Sequence, residues 1–573
     1  VRSRAGSLLG ALVAVLVLVS LFATACTGTP PVPVVTTSVP PVSPGLSTDL
    51  GEIVVGMDSV AGGYNPHKVA DQSAITSAMA NLMLPSVFRP AADGTEQLDK
   101  TLMVSADVTN SKPYTVTYQL RGDASWSDGA PVAAEDFVYL WEQLRGAQGV
   151  VDGAGYRLIS NISAREAGKV VEVTFAQPYP GWRTLFAALL PAHLLKDAPG
   201  GWASALQDSF PATAGQFSVK TMDVGRGEII LQRNDRYWET PALPERLVLR
   251  RGDQTDLVDA LRTKHDHVVL ASTDSVGVEQ LKALGSAIKI YTVPRPTVAS
   301  VLLRPEGPEL SDGHVRSAIA AFLDRDQLIA AGTGGGPSAR LRADALVLAP
   351  SRSGYKATIP ADKWPAKKDV SGAEGLLTEA GYKKTSGVWL KDGRPLDVTV
   401  AAPADNEPYQ KMAQELQREL SAAGVQVRLV SPTAAQLVTL LAAPVPQGQV
   451  TNTEGAIDIA LLPRPAGGDP AAVLADDFGC MRSGESAQYT PANLAGYCDT
   501  GQQAAIDAAL TGATLLPDTL SQLEPQLWRD AIVIPLYQES DSLAVRPEMS
   551  GVGVGAPLAG PFSGVAGWQR TRG

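Results

Sequence analysis

Cysteine and histidine are scarce in this chain. Three cysteines and five histidines occur among 573 residues, and no CxxC, HExxH or GxSxG pattern is present. Zinc ribbons, zincin proteases and hydrolase elbows are thereby excluded. Gly332-Thr-Gly-Gly-Gly336 lacks the Lys-Ser/Thr of a phosphate loop and reads as a flexible connection. His265-Asp-His267 invites a metal reading, but with only five histidines in the chain it reads as surface rather than as a metal pair. Basic charge is also short. Lys and Arg total 48 against 59 Asp and Glu, a net −11, the reverse of a nucleic-acid footprint. No metal, cofactor, nucleic acid or catalytic group is expected, and the chain is read as a monomer and not an enzyme. After Phe22 no apolar run is long enough to span a bilayer.

What is present starts at the N-terminus. Arg2 and Arg4 precede the apolar run from Leu8 to Phe22, and Ala23-Thr-Ala-Cys26 follows. A charged start, an apolar stretch too short to be a retained transmembrane helix and small residues before cysteine make a bacterial lipoprotein signal. Residues 1–25 are thus expected to be removed and Cys26 to carry a lipid, with an ordinary secretory signal as the alternative. The expected location is the extracytoplasmic face of the cell membrane. Residues 26–50 are rich in Pro, Thr and Ser without helical or strand period, which reads as a tether. At about 3.1 Å per residue it would hold the folded body up to roughly 70 Å from the lipid.

Cys480 and Cys498 are then an even pair in an oxidising compartment, so a bridge between them is expected, two reduced thiols being the alternative. The body from residue 51 onward is too long for a single core. Tyr114, Val116, Tyr118 and Leu120 alternate as a strand. Ser127-Asp128-Gly129 is turn chemistry, and Glu135-Asp136 open a helix where the macrodipole favours acid. Val170–Phe175, Ile229–Leu231, Leu247–Leu249 and Val268–Leu270 predict further strands, and Asp256–Arg262 and Val315–Ile329 predict helices. Between 395 and 430 the pattern is strand, helix, strand: Leu396, Val398 and Val400, then Met412, Ala413, Leu416 and Leu420, then Val425, Val427 and Leu429. Gly424 stops the helix. That predicts a right-handed parallel βαβ unit.

Taken in order, several segments resemble the extracytoplasmic solute-binding proteins of the dipeptide, oligopeptide and nickel class, family 5, which serve ABC importers. They are Tyr114–Arg121 with Trp126-Ser-Asp-Gly129 and Pro131–Phe137, Gly215-Gln-Phe217 with Leu231–Trp238, Asp312–Ile319 with Leu323-Asp-Arg-Asp326, Leu376–Tyr382, and Ile534-Pro-Leu-Tyr537. The resemblance implies an α/β, two-lobe periplasmic-binding-protein fold of type II, cluster C-like, with an extra α/β subdomain. It implies lobe I at 51–90, 210–304 and 541–573, the inserted subdomain at 91–209, and lobe II at 305–540. Ligand would be enclosed between the lobes. Leu102–Asn110, Gly149–Ile159, Phe175–Arg183 and Pro191–Asp197 resemble a narrower branch of mycobacterial lipoproteins, associated with phosphatidylinositol mannoside and lipoarabinomannan synthesis.

Peptide-binding members carry a Trp and an Asp after an Asp-Ile strand, and that carboxylate holds the peptide's α-ammonium. Here the strand Asp458-Ile-Ala-Leu-Leu462 leads into Pro463-Arg-Pro-Ala-Gly-Gly-Asp-Pro470. There is no Trp, and Ala466 or Gly467 falls about where the acid belongs. Asp469 is the substitute a register shift would supply. Arg464 suits a phosphate or carboxylate, with a solvated loop residue as the other reading. Tyr64 and Asn65 follow the first strand and are candidates to stack on or hydrogen-bond a sugar or headgroup, or else form a bare turn. The implied partners are a small polar ligand or glycolipid headgroup and a membrane mannosyltransferase or ABC permease. The implied function is to hold or sense a mannolipid intermediate, or its mannosyltransferase, the alternative being a peptide receptor for an importer.

Overall fold

The computed structural model describes residues 51–442, 456–483 and 486–571. The signal sequence, Cys26 and the tether lie outside the described residues.

Local pattern accounts for most elements. Tyr114–Leu120 is a strand, paired antiparallel with Met103–Ser111 and Val170–Phe175. Ile159–Arg165 completes a separate four-stranded sheet. Helix Ala134–Leu144 starts after Ala133, which has no capping side chain. Asp136 takes that role, accepting the Ala133 N–H at 3.0 Å, the Ala192 N–H at 3.0 Å and the Trp126 indole N–H at 3.2 Å. The acid at this helix start is consumed in holding the fold. Helix Glu407–Ala423 lies between the parallel strands Asp397–Ala401 and Gln426–Val430, and Gly424 caps it at φ +96°, where a side chain would be strained.

Ten strands form the main sheet. On one side, Phe217–Asp223, Glu228–Arg233 and Arg246–Arg251 run antiparallel in turn, and Arg246–Arg251 pairs parallel with Glu52–Met57. Val268–Ala271 follows. On the other side, Ile459–Pro465 pairs parallel with Asp397–Ala401. Two long strands, Lys289–Leu303 and Val533–Val545, join the two sides and pair with each other. Their ladder is interrupted between Pro294 and Val298. This is the two-lobe periplasmic-binding-protein fold, with the long strands as the connection between lobes. No helix among the described residues is long and apolar enough to cross a membrane.

Three sequence expectations are corrected. Val315–Ile329 is not one helix but two, Gly313–Phe322 and Arg325–Thr333. Asp324 breaks it by accepting the Asp326 and Gln327 N–H groups at 3.0 and 3.3 Å, which makes it the cap of the second helix. His267 is not a surface residue. It is buried, its Nδ1 accepts the Val54 N–H at 2.9 Å, and burial first, with nearby arginines, lowers its pKa to about 4. The glycine run 332–336 is not a loose connection, because a Cβ on Gly336 would stand 1.9 Å from the Thr273 carbonyl oxygen. The run is glycine so that two backbones can touch.

Candidate functional site

The break in the long-strand ladder is filled by polar side chains. Arg295 forms a two-pronged ion pair with Asp541, Nε to Oδ2 at 2.8 Å. Glu539 accepts from the Thr297 hydroxyl at 2.6 Å and from the Tyr409 hydroxyl at 3.0 Å, while Gln538 donates to the Arg295 carbonyl at 2.8 Å. Two cavities open beside this connection, and Gln72 lines both.

The smaller cavity, about 400 Å³, is lined by the carboxyl residues Asp58, Asp71, Asp405, Glu407 and Glu539 and by Arg295. Asp71 is buried, which raises its carboxyl to about 6 against the opposing pull of Lys68. The larger, about 770 Å³, is lined by Arg89, Arg183 and Arg352 together with Asp93, Glu96 and Asp152. Apolar wall comes from Phe88, Leu348 and Leu558. Between the cavities the turn Val69–Asp71 packs on helix Ala434–Ala442 and strand Ile459–Pro465. Val69, Leu437, Leu441 and Leu462 are buried there in one apolar cluster. Helix Gly153–Arg157 packs on helix Pro470–Phe478, and Arg157 pairs with Asp476 at 2.8 Å.

In the larger cavity Arg352 donates from both terminal nitrogens to the Gly468 carbonyl, at 2.8 and 2.7 Å. It thereby clamps the loop 466–468, with the Ala466 carbonyl at 3.4 Å. Burial lowers the Arg352 pKa, and Asp152, Asp469 and Glu96 oppose that shift. Asp152 is raised to about 7 by burial and then by Asp476. Gly468 sits at φ +56°, and a Cβ there would stand 2.3 Å from the Asp152 carboxyl. Glycine is required for that approach.

The four cleft candidates are not brought together. Tyr64 is buried, its hydroxyl donates to the Val60 carbonyl at 2.6 Å, and its ring packs on Phe210. Asn65 is fully buried, its side chain bonded to the His67 N–H and the Ala205 carbonyl. Neither lines the two cavities. Arg464 is buried, paired with Asp477 and bonded to the Leu346 carbonyl. Asp469 caps helix Pro470–Phe478 by accepting the Ala471 N–H at 3.1 Å and hydrogen-bonds Tyr179. Cys480 and Cys498 are joined in a disulfide. Among the described residues no group of three or more His, Cys, Asp or Glu is placed to hold a metal. Composition did not point to Arg352, which follows Ser351 in a plain loop. Asp152 and Arg183 do lie in two segments that carry the narrower resemblance, 149–159 and 175–183.

The chain belongs to the bacterial extracellular solute-binding proteins, family 5, whose middle-region model matches residues 102–480. It is a binding protein of the extracytoplasmic space and not an enzyme. Within the family it is similar to the probable monoacyl phosphatidylinositol tetramannoside-binding protein LpqW of Mycobacterium tuberculosis, at 34% identity over 98% of each chain. Among solved structures it resembles the periplasmic EDTA-binding protein EppA, with a TM-score of 0.71 and 24% identity over 91% of this chain and 96% of that one. The oligopeptide-binding protein AppA of Bacillus subtilis, solved with a nonapeptide, gives 0.70 and 16% over 91% and 99%. Both structural likenesses speak to the fold alone.

Proposed function

We propose that this protein is anchored through Cys26 and holds the headgroup of a phosphoglycolipid, of the phosphatidylinositol mannoside type, in the larger interlobe cavity. One observation carries the reading. The loop in which Ala466 or Gly467 falls about where peptide binders place an ammonium-holding acid is clamped by a cation, Arg352. A guanidinium selects phosphate or carboxylate over ammonium. The similarity to a relative named for a phosphatidylinositol mannoside supports the same class. A lipid anchor and tether would keep such a receptor at the membrane surface where the ligand resides.

A second reading is a peptide receptor for an ABC importer, favoured by the carboxylates of the smaller cavity, which suit an α-ammonium. Titration calorimetry of the purified protein with phosphatidylinositol mannosides and with short peptides separates the two. Micromolar mannoside binding with no peptide heat is expected, about −8 kcal/mol on the affinity scale. Tight peptide binding without mannoside binding overturns the proposal.

A further inference from the structure

We propose that a phosphodiester is gripped between Arg183 and Arg352, so that one anion ties together two parts of the chain that both line the larger cavity. This rests on the phosphoglycolipid reading above and names the group of that ligand which the site holds.

Three guanidinium groups line the cavity, and they are not equivalent. Arg89 is spent on Asp99 at 2.6 Å and the Leu84 carbonyl at 3.1 Å. Arg183 and Arg352 form no ion pair within 4.0 Å among the described residues. Arg183 is exposed and its guanidinium lies 4.4 Å from the Trp182 ring centroid. Stacking of this kind fixes the plane of the group and leaves its N–H edge open for a bidentate contact. Arg352 is half-buried and its close partners are the carbonyls of Gly468 and Ala466. Carbonyls accept its protons without neutralising its charge, and Asp152, Asp469 and Glu96 act on it from beyond ion-pair distance without offsetting its burial, an electrostatic cost that an anionic ligand relieves.

The carboxyl groups of the cavity do not cancel this field. Asp93 is exposed at the rim and hydrogen-bonded to Thr95. Glu96 and Asp152 are both shifted by burial toward the neutral form. Carboxyl oxygens accept from hydroxyls, which suits a sugar beside the phosphate. Arg183 comes from the turn Pro180–Thr184, and Arg352 from the loop that clamps residues 466–468. An anion bonded to both therefore joins segments more than 160 residues apart in sequence, and its loss would free them to separate.

The test is titration calorimetry with glycerophosphoinositol, a soluble phosphodiester, against uncharged myo-inositol and an N-acetylated tripeptide carboxylate. The parent protein should bind the phosphodiester more tightly than either, and more weakly as salt rises. Arg183→Gln and Arg352→Gln should each weaken it about ten- to hundred-fold. Arg183 is exposed, so its variant reports on binding even if loss of Arg352 loosens the 466–468 loop. Equal affinity for myo-inositol, preference for the tripeptide, or an unchanged affinity in Arg183→Gln overturns the proposal. If both variants still bind purified phosphatidylinositol mannoside like the parent, the two-arginine grip is wrong and the phosphoglycolipid reading stands. A parent that binds peptides and no phosphoglycolipid sinks both.

Discussion

Asp152 faces Asp469, Asp476, Asp477 and Arg352, and Asp476 is itself held by Arg157. Its folded pKa of about 7 lies above the ordinary carboxyl value of 3.8, so the folded state holds this proton more tightly than the unfolded chain. The stability it contributes is full below about pH 4 and is lost as pH rises through about 7. Asp71, Asp136, Asp458 and Asp477, each raised to about 6 by burial, add to the same fall. Thermal melts of the ligand-free protein should therefore decline between about pH 4 and about pH 7, and Asp152→Asn should flatten the upper part of that decline. A melt independent of pH in the parent contradicts the burial of these groups. Arg464 illustrates what residue type alone conveys. Its charge suits an anion, but Asp477, 13 positions on, claims it. Breaking a buried pair from one side typically costs about 3–5 kcal/mol. Arg464→Ala should lower urea stability by roughly that amount while leaving phosphodiester affinity unchanged in protein that remains folded.

At the scale of elements, the legible parts were those whose pattern is local. Strands Tyr114–Leu120 and Val170–Phe175 and the unit from Asp397 to Val430 follow from alternation and helical spacing. The break at Asp324 was missed because Val315, Ala318, Ile319, Phe322 and Leu323 continue one helical stripe into it. Hydrophobic period does not register a side chain that caps the next turn. The cavity arginines were missed for a different reason. Arg183 stacks on its chain neighbour Trp182, which neither alternation nor helical period registers, and Arg352 is placed by a tertiary neighbour, the Gly468 carbonyl. The pairing of Cys480 with Cys498 was legible by elimination once Cys26 was set aside for lipid. The two lie 18 residues apart in sequence and join the end of helix Pro470–Phe478 to the segment before helix Gln503–Leu510. On the chain-entropy relation the bridge is worth about 3 kcal/mol. The double variant Cys480→Ala/Cys498→Ala should lose about that much in urea unfolding, and no loss would mean that the segment is fixed by packing alone.

For the whole molecule, the contact between lobes decides what the cleft can do. Helices Gly153–Arg157 and Pro470–Phe478 meet through Arg157 and Asp476, both largely shielded from solvent, and the turn Val69–Asp71 seals the middle. A two-state lobe motion would have to break these contacts. Arg157→Ala leaves Asp476 without its partner and should shift the balance toward open lobes by about 3 kcal/mol. Small-angle scattering of that variant should give a larger radius of gyration than the parent, and equal radii would place the latch elsewhere. The central claim is that the cleft of this binding protein holds a phosphoglycolipid headgroup. Native mass spectrometry of the full-length protein, extracted from the membranes of its own host, tests that most directly. The account predicts a retained adduct that releases a phosphorus-containing glycolipid on activation, and that is depleted in Arg183→Gln. A ladder of peptide adducts with no lipid would contradict it.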